Sequence, residues 1–509
     1  MSEPKPFLII DFGSQVSQLI ARRLRELGYF SELLPCNTPT KTIREKQPVG
    51  IILSGGPSSV FDNNAPVPEV RDYEPIAPVL GICYGMQLLA FKYGGVVEAT
   101  DKREYGPNTV EWKTPVANVP KNQKVWMSHG DIVKVPPPGF EILAFSSNGH
   151  PAAMRAPRLF AVQFHPEVSH TDHGTEILKY FCKEICEAEP NWSANEILES
   201  ATAYIKRTVG EKEKVLCALS GGVDSTVVGK LLTQTLGAER VICVFVDNGL
   251  LRKNEFQEVL KSYQEMGLNV KGLDAKKSFL KRLEQVTDPE KKRTIIGHTF
   301  IDIFKEEIKK HDGIAYLAQG TLYPDVIESV SPRGQSATIK THHNVGGLPK
   351  DLDLKLVEPL RELFKDEVRV LGLNLKIPPY FLTRHPFPGP GLGIRIIGAV
   401  TDELLTILRE ADAIYLDELK KANLYSRIWQ AFAVLLPIRT VGVQGDGRTY
   451  DHTIALRAVT SNDGMTADWF SFSGEFLRRV SSRITNEVRG VNRVVYDVTS
   501  KPPATIEWE

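Results

Sequence analysis

Short apolar runs alternate with stretches whose apolar positions recur at every third or fourth residue through most of the first 380 residues, the pattern of parallel α/β architecture. Runs at 7–11, 50–53, 78–82 and 159–164 predict strands in the first part of the chain. Between residues 14 and 27, Val16, Leu19, Ile20, Leu24 and Leu27 fall at helical spacing, and Gly28 can end the helix they predict. The polar stretch 187–195, with Pro190 inside it, interrupts the series and reads as a linker. The series then restarts with a strand at 214–219, a helix at 225–236 and a strand at 240–246, which make a βαβ unit, and a further strand at 315–319.

The stretch 331–350, rich in Gly, His and Lys, predicts a mobile loop. No helix or strand can run unbroken through His385-Pro386-Phe387-Pro388-Gly389-Pro390-Gly391, so a boundary is expected there. Beyond it come a helix at 402–421, strands at 440–444 and 452–458, a helix at 473–487 and a last strand at 493–498. The expected fold class is therefore α/β: two parallel-sheet domains, 5–190 and 191–384, followed by a smaller α+β domain, 385–509.

Length and composition narrow the function class. With 509 residues, 42% of them hydrophobic, roughly two to four domains with real cores are possible. Lys plus Arg balance Asp plus Glu at 62 each, and no long run of one sign appears, so nothing points to nucleic acid or to an anionic membrane as a partner. The six cysteines are scattered, with Cys217 and Cys243 inside apolar runs, and suggest no disulfide framework. The chain start lacks a basic and apolar leader, and no run approaches about 18 apolar residues, so the expected location is the cytoplasm.

Two segments carry chemistry. Gly81-Ile82-Cys83-Tyr84-Gly85 follows an apolar strand directly, the nucleophile-elbow arrangement with a thiol in place of a hydroxyl. At a helix N-terminus the sulfur is favoured as thiolate. In extended chain His165 and Glu167 project to the same side, so the carboxylate can orient the imidazole as base for Cys83. The competing possibilities are a buried structural Cys83, and a zinc cluster of His165, Glu167, His170, Asp172 and His173, although that spacing fits no ligand pattern. The second segment, Ser220-Gly221-Gly222-Val223-Asp224-Ser225, joins a strand to a helix, where N–H groups and hydroxyls converge on an anion. It lacks the Gly-Lys-Ser/Thr ending of the Walker loop, which disfavours γ-phosphoryl transfer.

With Ser54-Gly55-Gly56-Pro57, the Cys83 segment, Ser128-His129-Gly130-Asp131 and His165-Pro166-Glu167 all in place, the first part resembles the class I glutamine amidotransferases. The resemblance implies a Cys83–His165–Glu167 triad, an oxyanion hole from the backbone N–H groups of Gly56 and Tyr84, a loop at 128–131 on the glutamine side, and Gln87 at the substrate glutamine. The Ser220 loop resembles that of the PP-loop ATP pyrophosphatases, of adenine-nucleotide α-hydrolase-like fold, which implies ATP as substrate with its pyrophosphate on Ser220, Gly221, Gly222, Val223, Asp224 and Ser225. Asp247 would meet the adenosine at a strand end, and Mg²⁺ would bridge the phosphates with Asp224 as its protein carboxylate.

Segments 321–328, 339–344, 358–369, 385–391 and 501–509 extend the likeness over essentially the whole chain, which resembles the family of glutamine-hydrolysing GMP synthases. That resemblance implies XMP as acceptor, with Asp325, Glu328, Lys365 and Asp366 at the metal-nucleotide and Lys340, His342 and His343 on a lid. Arg293, Gln444, Lys501 and Glu507 are the candidates for holding XMP. It also implies a homodimer through the C-terminal domain. Two rivals stand beside it. Another adenylylating amidotransferase would differ in its C-terminal third, and a catalytically silent sensor would lack Cys83, His165 or the Ser220 loop.

Overall fold

A nine-stranded sheet organises the N-terminal unit of the computed structural model, which describes residues 4–116, 118–329, 354–444, 447–461 and 466–509. The described residues form two compact units, one up to Ser200 and one from Ala201 onward.

The strands of the first unit are β1 (Phe7–Asp11), β2 (Ser31–Pro35), β3 (Gly50–Leu53), β4 (Val79–Ile82), β5 (Val96–Trp112), β6 (Asn122–Val135), β7 (Glu141–Ser146), β8 (Pro151–Ala156) and β9 (Leu159–Val162). They lie in the order β2-β1-β3-β4-β9-β8-β7-β5-β6. The β2 to β9 half is parallel, and from β8 onward each neighbour is antiparallel. β3, β4 and β9 are wholly buried, as continuous apolar runs in a sheet covered on both faces must be. The first helix, Ser17–Glu26, begins later than its apolar spacing predicts because Asp11 ties the preceding turn. Its Oδ1 accepts from Gly13 N at 2.9 Å and from Ser17 Oγ at 2.6 Å. The antiparallel half has no counterpart in the apolar pattern: β5 carries the polar stretch Thr100-Asp101-Lys102-Arg103-Glu104, which hides it.

The second unit holds two sheets. The parallel one contains β10 (Lys214–Leu219), β11 (Val241–Asp247), β12 (Val270–Asp274), β13 (Ile314–Ala318) and β14 (Lys355–Val357), in the order β12-β11-β10-β13-β14. The other pairs β15 (Gln430–Gln444) with β16 (Gly447–Thr460) as a long antiparallel hairpin, with β17 (Asp468–Trp469) and β18 (Val491–Tyr496) both bonded to β16. The segments expected at 440–444 and 452–458 are thus parts of longer strands. Further back in β15, Ala431-Phe432-Ala433-Val434-Leu435 is wholly buried and shows no alternation to mark it. The helix Asp402–Lys421 matches its expected bounds, with Thr401 Oγ1 accepting from Leu404 N as N-cap.

The Pro/Gly segment at 385–391 is irregular, as expected, but the core runs across it: Leu216, Val244, Leu250 and Phe279 pack in one cluster with Leu405, Leu408, Ala433, Leu435 and Ile454. Gly391 has φ +60° and sits so tightly on the Leu250 carbonyl that any Cβ would collide with it. Leu392 N then donates to that carbonyl at 2.8 Å. Lys340, His342 and His343, with the whole expected loop at 331–350, lie outside the described residues, as do the side chains of Glu328 and Gln444.

Candidate active sites

The elements of the thiol centre meet at the C-terminal ends of β3, β4 and β9, the edge where parallel sheets present ligand-binding loops. Cys83 caps the helix Tyr84–Lys92 at φ 53° and ψ −106°, the strained turn expected of an elbow, and is 3% exposed. The flanking glycines make this turn possible. A Cβ on Gly81 would come within 2.6 Å of the Gly85 carbonyl oxygen, and one on Gly85 would strike the Leu53 carbonyl. Cys83 N donates to Val162 O at 2.8 Å, tying the elbow to β9, and its Sγ lies 3.6 Å from the Ser128 carbonyl.

Three residues past β9, His165 Nδ1 lies 2.8 Å from Glu167 Oε1, with Glu167 fully buried. Holding Nδ1–H in this way leaves Nε2 for the thiol. Burial is the largest influence on His165 and pushes its pKa down. The Glu167 charge and the hydrogen bonds to Cys83 and Glu167 outweigh it and hold the imidazole well above its usual range. The site therefore favours the protonated ring, the state that can give a proton to a departing group. The other residues of the zinc alternative go elsewhere. His170 packs its ring on Trp126, Asp172 N bonds to Lys124 O, and His173 precedes the helix Gly174–Tyr180 at φ 57°.

Tyr84 is the first residue of its helix, so its N–H has no intrahelical acceptor and is available to an oxyanion. Gly56 packs on Phe12, where a Cβ would meet the Phe12 carbonyl oxygen at 2.8 Å. Gln87 is buried and donates to Asp131 O at 2.8 Å. The segment 128–131 is not a loop as expected but part of β6, because its backbone pairs with β5 across an irregularity in that strand. Sequence reasoning missed Gly55, whose Cβ would press on His165 Cε1 at 2.9 Å; it is one glycine of a quoted motif, and only the packing gives it this role.

In the second unit the loop Ser220–Ser225 turns from β10 into the helix Val223–Leu236, with Gly221 at φ +78°. Ser225 Oγ accepts from Ser220 N at 3.1 Å and lies 3.0 Å from Ser220 Oγ, closing the loop around the helix N-terminus. Lys365 Nζ reaches the Asp224 carboxylate at 2.6 and 2.5 Å, so the two predicted residues do meet. Asp366 follows Lys365 in the first turn of the helix Lys365–Asn374. Asp247 ends β11, bonded to Gly249 N at 3.0 Å and paired with Lys276 at 3.1 Å. Asp325 accepts from Leu322 N at 3.0 Å, at the start of the helix Tyr323–Ser329 that also carries Glu328. A Cβ on the nearby Gly320 would lie 3.1 Å from that of Asp224, so this segment abuts the loop. Arg384, missed because no local pattern marks it, donates to Gly221 O at 3.0 Å and pairs with Glu255.

Among the XMP candidates, Glu507 accepts from buried Arg395 through both oxygens, at 3.1 and 2.8 Å, and from Gln430 at 2.6 Å. Arg293 donates to the Glu509 carbonyl, and Lys501 pairs its backbone with Ala467 in both directions. The tail after β18 is therefore tied down and not frayed.

His385, in the Pro/Gly segment, stacks on Tyr425 at 3.8 Å, accepts from Ala431 N through Nδ1 at 3.2 Å and faces Tyr425 O through Nε2 at 2.8 Å. That geometry suits only the neutral ring. Burial first, with Arg252 adding to it, presses its pKa down to about 4 against hydrogen bonds that raise it. Against an unfolded value near 6.5, the stability from this residue is full above about pH 6.5 and is lost as pH falls toward 4, by up to roughly 3 kcal/mol. Urea unfolding followed by tryptophan fluorescence between pH 7 and 4 should show this loss, and His385→Gln should flatten it. An unchanged slope in the variant would remove His385 as the cause.

Among the described residues no helix is long and apolar enough to cross a membrane. Residues 8–185 match the class-I glutamine amidotransferase family, 194–299 the NAD synthase family and 417–508 the GMP synthase C-terminal domain. The glutamine-hydrolysing GMP synthase of Bdellovibrio bacteriovorus is 60% identical over 503 residues, covering 99% of both chains. Those of Chlorobium chlorochromatii and Aquifex aeolicus are 54% and 53% identical, again over 99% of each chain. With identity at this level sustained along both chains from end to end, the chain belongs to the glutamine-hydrolysing GMP synthase family.

Proposed function

We infer that the chain makes GMP: it hydrolyses glutamine to ammonia, adenylylates XMP with ATP, and aminates the product to give GMP, AMP, pyrophosphate and glutamate. The observation that carries this reading is the Cys83, His165 and Glu167 geometry at a strand-to-helix elbow, in a chain that also bears the Ser220–Ser225 loop. His165 takes the Cys83 proton, the thiolate attacks the carboxamide carbon, and the Gly56 and Tyr84 N–H groups meet the oxyanion. The protonated His165 releases ammonia, and water then cleaves the thioester to glutamate.

In the second reaction the XMP C2 oxygen attacks the α-phosphate of ATP and pyrophosphate leaves on the Ser220–Ser225 loop. Ammonia then attacks C2 and AMP departs. Asp247 is assigned to the adenosine, Asp325, Glu328, Lys365 and Asp366 to the metal-nucleotide, Lys340, His342 and His343 to the lid, and Arg293, Gln444, Lys501 and Glu507 to XMP. Mg²⁺ fits this donor set, because it binds chiefly through substrate phosphates with one or two carboxylates, and Asp224 stands at the loop. When bound it would offset phosphate charge. Residues 5–190 are assigned to glutamine hydrolysis, 191–384 to ATP, and 385–509 to XMP and dimerisation, in a cytoplasmic enzyme. Incubation with XMP, ATP, Mg²⁺ and glutamine should yield GMP and pyrophosphate in step. Pyrophosphate without GMP would overturn the reading.

The homodimer has a candidate surface. On the β15–β16 hairpin Val441, Val443 and Tyr450 are 52%, 74% and 58% exposed, and Val441 faces Tyr450 in the cross-strand register. Val441→Asp combined with Tyr450→Asp should convert a dimer to a monomer in sedimentation equilibrium. A double variant that still sediments as a dimer would exclude this face.

A further inference from the structure

We propose that Glu104 and His129 form a positioning pair that sets the substrate-side wall of the thiol centre, a role that rests on Cys83 being the nucleophile toward glutamine. The two are direct cross-strand partners on β5 and β6, 3% and 4% exposed. Their pairing depends on the irregularity in β5: Ala99 faces Asp131 and Glu104 faces His129, so residues 100–103 on one strand stand opposite Gly130 alone on the other. Glu104 Oε2 lies 3.0 Å from His129 Nε2, while its Oε1 accepts from Asn108 at 3.0 Å and Asn148 at 2.9 Å. On the far side of the ring, His129 Nδ1 lies 3.0 Å from the Asp131 carbonyl. The ring thus bonds the main chain through Nδ1 and lies against the carboxylate at Nε2, at contact distance although not in hydrogen-bond alignment, so the imidazole sits between the two.

The clamped segment touches the chemistry at two points. The Ser128 carbonyl receives the Cys83 thiol at 3.6 Å, and the Asp131 carbonyl receives both Gln87 Nε2, at 2.8 Å, and the His129 ring. Gln87 is the residue assigned to the substrate glutamine, on the helix that Cys83 caps. Fixing the Asp131 carbonyl therefore fixes Gln87 in turn. Stability does not explain the pair. A buried polar pair carries a desolvation cost that a well-packed apolar pair avoids, and its directional contacts can set a register. Burial is the largest influence on Glu104 and pushes its pKa up, but the neighbouring His129, Ser146 and Asn148 outweigh it and hold the carboxyl down at about 2, so it keeps its charge throughout the working range.

The test compares glutamine-dependent and ammonia-dependent GMP formation in the full chain. Glu104→Gln and His129→Gln should each raise KM for glutamine about tenfold or more while kcat changes less than about threefold, because binding geometry is lost and the nucleophile is kept. Ammonia-dependent synthesis should be unchanged. The double variant should be no weaker than the weaker single, since the residues act as one unit. An unchanged KM in either single, a fall in kcat alone, or losses that multiply in the double variant would overturn the proposal. Should Glu104→Gln not fold, Asn148→Ala removes one hydrogen bond to Glu104 and should raise KM about threefold; an unchanged KM there overturns the proposal too. A wild-type chain that consumes no glutamine would instead sink the Cys83 reading, so the two failures are distinct.

Discussion

Cys83→Ala should abolish GMP formation from glutamine, by about a thousandfold or more, and leave formation from free ammonia at high pH intact. The substitution removes the atom proposed to attack the carboxamide and changes little else. Alanine meets the same φ of 53° that cysteine does, and the packing of Gly81 and Gly85 holds the elbow whichever side chain sits between them. The backbone bond from Cys83 N to Val162 O also survives, so β4, β9 and the helix Tyr84–Lys92 keep their arrangement. The measurement is GMP production with each nitrogen source in turn, with glutamate release as a third reading. Loss of both activities in a folded variant would mean that Cys83 does more than deliver nitrogen, and the division into a thiol centre and a nucleotide centre would have to be abandoned.

That division was legible because each centre is written in contiguous residues. An elbow needs glycines two positions either side of its nucleophile, and a pyrophosphate loop needs serines and glycines between a strand and a helix, so both leave a local imprint. The strands that carry them are buried on both faces and read as plain apolar runs, which is why β1, β3 and β10 fall on their predicted bounds. What escaped was non-local or disguised. β5 is half exposed and carries charges for solvent, for the irregularity at 100–103 and for the buried Glu104, so no alternation survives to announce a strand. Without β5, the segment 128–131 could only be read as a loop. Arg384 and Lys276 meet Gly221 and Asp247 from distant parts of the chain, and nothing in their neighbours marks them. Lys365 was found by family likeness alone. Its pairing with Asp224 depends on how the helix Lys365–Asn374 packs against the helix Val223–Leu236, a contact that no local pattern encodes.

The Asp224–Lys365 pair leads to the second large effect. Asp224→Ala should abolish GMP formation from glutamine and from ammonia alike, again by about a thousandfold or more, because the carboxylate stands at the loop proposed to hold the pyrophosphate of ATP. Destabilisation does not account for such a loss. The two side chains are 29% and 43% exposed, and a pair so open to water contributes on the order of 1 kcal/mol or less. Asp224 lies in the first turn of its helix but makes no capping bond, since the N-cap is Gly222, so the helix should persist without it. Lys365→Ala separates two explanations. If Asp224 only pins Lys365, removing the lysine should be as damaging as removing the carboxylate. If Asp224 engages the metal-nucleotide itself, Lys365→Ala should retain about a tenth to a hundredth of the activity, because one charge of several is lost from a site whose carboxylate remains. We expect the second pattern: Asp224 would help hold Mg²⁺ beside the phosphates of ATP, and Lys365 would offset phosphate charge next to it. Robust ammonia-dependent synthesis by Asp224→Ala would take Asp224 out of the site, and equal losses in the two variants would reduce it to an anchor for Lys365.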